Sequence, residues 1–86
     1  MIFRRAILLL ALVLSALLSH AQLNTVRVME IGRNALYFED YVLSIQYFNK
    51  VIDAKPFLPE PYFFRGLAKY YLDDYIGAEE DFTSAI

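Results

Sequence analysis

The chain contains no cysteine and no tryptophan, and a single histidine, His20. Without cysteine there is no disulfide framework, no thiol nucleophile and no lipid attachment through an N-terminal cysteine. If His20 is removed with an N-terminal leader, as argued below, the remaining chain also lacks the commonest general base and most transition-metal ligands. Enzyme chemistry, metal binding and cofactor binding are therefore not expected. Glycine is scarce, at Gly32, Gly66 and Gly77. All three fall inside helical patterns, so no Gly-rich phosphate loop is present. Positive charge is also in short supply, with 8 Lys and Arg against 10 Asp and Glu. An acidic chain is a poor partner for nucleic acid or an anionic lipid surface.

Two of those cations, Arg4 and Arg5, open the N-terminus. The uncharged apolar run 6–18 follows, and the segment closes on Ser19-His20-Ala21. A basic start, a short apolar run and small residues at the last and third-last positions form a secretory signal peptide over 1–21, with Gln22 as the first mature residue. The alternative is an uncleaved anchor, but about 20 apolar residues are usual for a span. Removing 1–21 takes the formal net charge from -2 to -4. The expected location is exported, in a bacterial periplasm or at the cell surface, with membrane contact only through an uncleaved leader.

What the chain does contain is a repeat. Gly32 and Gly66, Tyr37 and Tyr71, Asp40 and Asp74, Tyr41 and Tyr75, Phe48 and Phe82, and Ile52 and Ile86 are identities at one constant offset of 34 residues. That offset is the period of a helix-turn-helix unit that stacks into a solenoid. Helical spacing supports it: Val28, Ile31, Gly32 and Ala35 fall at i, i+3, i+4 and i+7 on a helix to about Phe38. Asp40 then caps a second helix carrying the stripe Tyr41, Ser44, Ile45, Phe48, Val51 and Ile52. Pro56 ends it near Ala54 and drives Lys55 out of helical geometry. Pro59 and Pro61 suit the first turn of a third helix, whose N-H groups are unpaired in any case. That helix runs to about Leu72, Asp73-Asp74 turns the chain, and a last helix carries Tyr75, Ala78, Phe82 and Ala85. The expected fold is all-α, an antiparallel series of helix pairs. Gly32 and Gly66 sit mid-helix to let the partner helix approach, with Ser44 or Ala78 filling each crossing and Phe48 or Phe82 one turn further on.

This pattern resembles the tetratricopeptide repeat. The copy within 22–58 shows Gly32, Tyr41, Phe48 and Pro56 at the family's spacing, and the copy within 59–86 shows Tyr62, Gly66, Ala68, Tyr75, Ala78, Phe82 and Ala85. Ser44 replaces the usual alanine, Ala35 and Lys69 stand where an aromatic is common, and Glu39 and Asp73 occupy the turn position that is often glycine. Lys69 is expected to lay its stem along apolar surface with its charge outside. Glu39 and Asp73 are expected at positive φ, a strained conformation for a residue with a Cβ. The second copy breaks off inside its last helix, so further repeats downstream are expected.

In proteins of this family the first helix of each pair lines a concave groove. The resemblance places Met29, Arg33, Leu36 and Tyr37 there, with Phe63, Leu67, Tyr70 and Tyr71 from the third helix. Such a groove would take an extended peptide or a partner helix, with the aromatics as anchors and Arg33 for a carboxylate. The plainer reading is that these aromatics bury against neighbouring repeats. The family's two-carboxylate clamp does not transfer, because Met29 and Phe64 stand where Lys and Asn would be needed. Asp73-Asp74 and Glu79-Glu80-Asp81 read as a capped turn and a solvated helix face, the alternative being a cation site or an acid/base pair. The expected function is a non-enzymatic interaction scaffold. The alternative is the N-terminal sensory region of a longer envelope receptor or enzyme.

Overall fold

The computed structural model of the protein describes residues 2–21 and 23–86. Its five helices are α1 (Ile2–Ala21), α2 (Thr25–Tyr37), α3 (Tyr41–Ala54), α4 (Pro59–Tyr71) and α5 (Tyr75–Ser84), with no strand among the described residues. The fold is all-α. Consecutive helices α2 to α5 pack on one another, α2 also touches α4, and among the described residues α1 makes no packing contact with them.

The boundaries follow from local chemistry. Asn24 caps α2 by accepting from the Arg27 amide, and Asp40 and Asp74 cap α3 and α5 by accepting from Leu43 and Gly77. Leu58 gives α4 no side-chain cap, and proline in the first turn removes donors that would need one. Lys55, ahead of Pro56, leaves helical geometry at φ -140°. The turns 38–40 and 72–74 are built alike, with Glu39 at φ 65° and Asp73 at φ 64°. That is the left-handed conformation expected of both, where the Cβ meets the following carbonyl.

The core lies between α2, α3 and α4. Met29, Phe48 and Val51 are buried at its centre, with Val28, Leu58 and Phe64 packed around them. Phe48 and Ser44 are fully buried, and the Ser44 hydroxyl is satisfied by donating to the Tyr41 carbonyl. The glycines act differently from expectation. A Cβ on Gly32 would lie 2.7 Å from the Phe48 ring, and one on Gly66 would lie 2.8 Å from the Phe82 ring. Phe48 and Phe82 therefore fill the crossings themselves, lying over the bare glycine backbones rather than one turn further along. Ser44 and Ala78 are small because their helices are buried there too.

The apolar run 6–18 would be only about 20 Å long as a helix, against a hydrocarbon core of about 30 Å. No helix among the described residues is long and apolar enough to cross a membrane. Gln22, the expected first mature residue, lies outside the described residues.

Candidate functional site

One polar cluster ties three helices together. Arg65 on α4 donates from Nε and Nη2 to the two carboxylate oxygens of Asp81 on α5, at 2.8 and 2.7 Å. Its Nη1 reaches Asn49 Oδ1 on α3 at 2.8 Å, and Lys69 Nζ lies 3.0 Å from Asp81 Oδ2. Asp81 is 3% exposed. Burial by itself would raise its pKa, but the hydrogen bonds from Arg65 and Lys69 outweigh that and hold the carboxyl below its ordinary value. The same bond to Asp81 raises the Arg65 pKa against the opposing effect of burial. Two sequence expectations are corrected here. Asp81 is not part of a solvated face, although Glu79 and Glu80 are, and the Lys69 charge turns inward to Asp81. Thirty-four residues earlier the matching positions are Ile31, Ala35 and Tyr47, so only the second helix pair carries this ionic tie.

Most of the expected groove residues on α2 and α4 keep part of their surface in water. Tyr37 is 81% exposed, Phe63 45%, Tyr70 50% and Tyr71 56%, while Leu36 and Leu67 are half-buried. Arg33 pairs with Glu60 and lies 5.9 Å from the Phe64 ring centroid. Both members of that pair are about half exposed, so the pair orients more than it stabilises. Met29 is the correction: at 5% exposed it belongs to the core with Phe48 and Val51 and shows the surface only the floor of a small cleft. Phe63 also leans on α5, 5.9 Å from the Phe82 ring.

Of the residues expected to hold the repeats together, Gly32, Ser44, Phe48, Gly66 and Ala78 are buried, and Tyr41, Tyr62, Phe82 and Ala85 are half-buried. Pro56 and Tyr75 are exposed. The Pro56 carbonyl nevertheless accepts from the Tyr62 hydroxyl at 2.7 Å, fixing the entry to α4. The two turns meet through Tyr41 and Tyr71, whose rings stack at 5.1 Å and 14°. Tyr75 bridges within its turn, donating to Asp73 at 2.9 Å and lying 5.4 Å from Tyr70. That bond to Asp73 raises the Tyr75 pKa, and loss of solvation followed by the charge of Glu39 raises that of Tyr41.

A cleft of about 130 Å³ is lined by Thr25, Val26, Met29, Arg33, Leu58 and Glu60. Drug-sized ligands occupy roughly 300–1,000 Å³, so this cleft suits one side chain. A larger hollow of about 470 Å³ is lined only by Ile76, Glu79, Glu80, Thr83 and Ser84 of α5, and is therefore an open helix face. Among the described residues no three His, Cys, Asp or Glu side chains are grouped to hold a metal. The site is thus a broad, aromatic-rich surface on a small all-helical frame. Comparison of the chain with protein-family models, curated proteins and solved structures finds no match.

Proposed function

We propose that this chain is a non-enzymatic interaction module of the tetratricopeptide type, exported under a cleaved leader, whose α2 and α4 side receives an extended peptide or a partner helix. The observation that carries the reading is the set of large aromatics that α2 and α4 leave in water: Tyr37, Phe63, Tyr70 and Tyr71. Rigid aromatics are the side chains that most often dominate the energy of protein recognition. Support for the repeat comes from matched geometry at the 34-residue offset: the same φ at Glu39 and Asp73, the same cap at Asp40 and Asp74, and the same ring over glycine at Gly32 and Gly66. Export is supported by the two arginines ahead of a run too short to span.

The test is selection of binders from a displayed library of random peptides, followed by titration of a selected peptide against Phe63→Ala/Leu67→Ala. Loss of about tenfold or more in affinity is expected, in line with truncation of interface anchors. Selected peptides that bind this variant as well as the parent, while losing affinity to changes on α5, would overturn the groove.

A further inference from the structure

The two turns form a second surface that meets the groove at Tyr37, Tyr70 and Tyr71 and extends beyond it. Outside the helix faces that pack, 37–42 and 70–76 leave Phe38 77% exposed, Val42 59%, Tyr75 57% and Ile76 77%, together with Tyr37, Tyr70 and Tyr71. The stack of Tyr41 on Tyr71 joins the two turns into one edge. An apolar patch of this kind on a small domain marks a contact surface.

Charge narrows what would cover it. Glu39, Asp40, Asp73 and Asp74 are all exposed on this edge, and no Lys or Arg occurs in 34–49 or 70–86. The nearby cations are occupied, since Arg65 and Lys69 both engage Asp81. Asp40, Asp73 and Asp74 use Oδ1 for the caps and for Tyr75, which leaves the second oxygen of each carboxylate for another donor. Carboxylates interleaved with tyrosine and phenylalanine rings suit a guanidinium or ammonium group, which pairs with the acid and lies over the ring face. The same four charges repel phosphate backbones and anionic headgroups.

We propose that this turn edge is a docking surface for a Lys- and Arg-bearing segment of another protein. The proposal does not rest on the groove: its charges lie in the turns, and Phe63 and Leu67 are outside it. Arginine is favoured over lysine, because the planar guanidinium stacks on rings and forms two parallel bonds with a carboxylate.

The experiment titrates labelled oligoarginine and oligolysine peptides against the full chain held in neutral detergent, with fold checked by far-ultraviolet circular dichroism. Two edge variants are compared, Glu39→Gln/Asp73→Asn and Phe38→Ser/Tyr75→Ser. A charge-matched control is Glu79→Gln/Glu80→Gln on α5, and a groove control is Phe63→Ala/Leu67→Ala. The glutamine and asparagine changes keep the left-handed turns no more strained than before, so the charge variant tests binding with the fold intact. Each edge variant is expected to weaken oligoarginine binding about fivefold, the combined effect of two exposed ion pairs or ring contacts. Oligolysine binds less tightly than oligoarginine, and both controls bind like the parent. Equal weakening in the α5 control would mean diffuse attraction to an acidic protein and would overturn the proposal. So would full binding by the Phe38→Ser/Tyr75→Ser variant. Loss confined to the groove control would also overturn it, while leaving the groove itself standing.

Discussion

Replacing Asp81 by asparagine keeps the shape of the side chain and removes its charge. Arg65 and Lys69, with side chains 19% and 23% exposed, would then face each other across a neutral amide. Removing one partner of a buried ion pair costs about 3–5 kcal/mol. The residual hydration of both cations argues for the lower end, about 3 kcal/mol. Domains gain about 0.05–0.15 kcal/mol of stability per residue, so the segment 23–86 has roughly 3–10 kcal/mol in all, and the variant would lie near its limit. At about 4–8 °C per kcal/mol for a domain of this size, thermal melting followed by circular dichroism should fall by roughly 12–24 °C. A companion variant, Arg65→Ile/Lys69→Ala/Asp81→Tyr, installs the residues found 34 positions earlier, Ile31, Ala35 and Tyr47. Because apolar replacement of a whole buried ionic cluster is often neutral or stabilising, it should melt within about 1 kcal/mol of the parent. An Asp81→Asn cost below about 0.5 kcal/mol would place the cluster among ordinary surface pairs and refute the reasoning.

The pH dependence has a definite sign: the folded-state pKa of Asp81 is depressed, so its contribution is present above the ordinary aspartate value of about 3.9 and is lost as pH falls through the folded value. Acid titration of the melting temperature should be flatter for Asp81→Asn than for the parent below about pH 4. Glu39→Gly relieves a left-handed residue and should stabilise by about 0.5–1 kcal/mol; Asp73→Gly should gain less, since aspartate tolerates that conformation better and also accepts from Tyr75. Denaturation midpoints that rank the two the other way would contradict this. Gly32→Ala and Gly66→Ala should each cost about 1–3 kcal/mol, because the added Cβ meets the buried Phe48 ring in the first and both the Phe82 ring and the Cβ of buried Asp81 in the second. Protein recovered from the cell envelope should begin at Gln22 on N-terminal sequencing, and a chain starting at Met1 would instead indicate an anchor.

The helices were legible because their signals are local. Asp40, Pro56, Pro59 and Asp74 mark ends by capping or by a missing N-H, and each needs only its neighbours to act. The 34-residue identities located both glycines and both phenylalanines, but spacing along the chain does not show which side chain fills a crossing. The Arg65, Lys69 and Asp81 cluster was illegible for a related reason. Glu79, Glu80 and Asp81 look alike in sequence, and only the rotation of α5 against α4 turns the third inward. A usable signal was present: Arg65 and Lys69 lie four apart on the face that the first copy fills with Ile31 and Ala35. Met29 is not legible as core, because a face assigned by resemblance does not show that this side chain packs on Phe48 and Val51 of α3. The stack of Tyr41 on Tyr71 joins different helix pairs, and a repeat read one copy at a time cannot show it.

The packing order has a kinetic consequence. Each helix from α3 onward lies against the one made just before it, and among the described residues the sole further neighbour pair is α2 with α4. Contacts so close in sequence ask for little loop closure before they form, which places such chains among the fast folders, in the microsecond to millisecond range. Phe48 over Gly32 and Phe82 over Gly66 can each close within one hairpin. The bonds from Arg65 to Asp81 also close within the second hairpin, whereas the bond from Arg65 to Asn49 joins the two hairpins. Substitutions at the two rings should therefore slow folding, whereas Asn49→Ala, which removes a bond between the hairpins, should act chiefly by hastening unfolding.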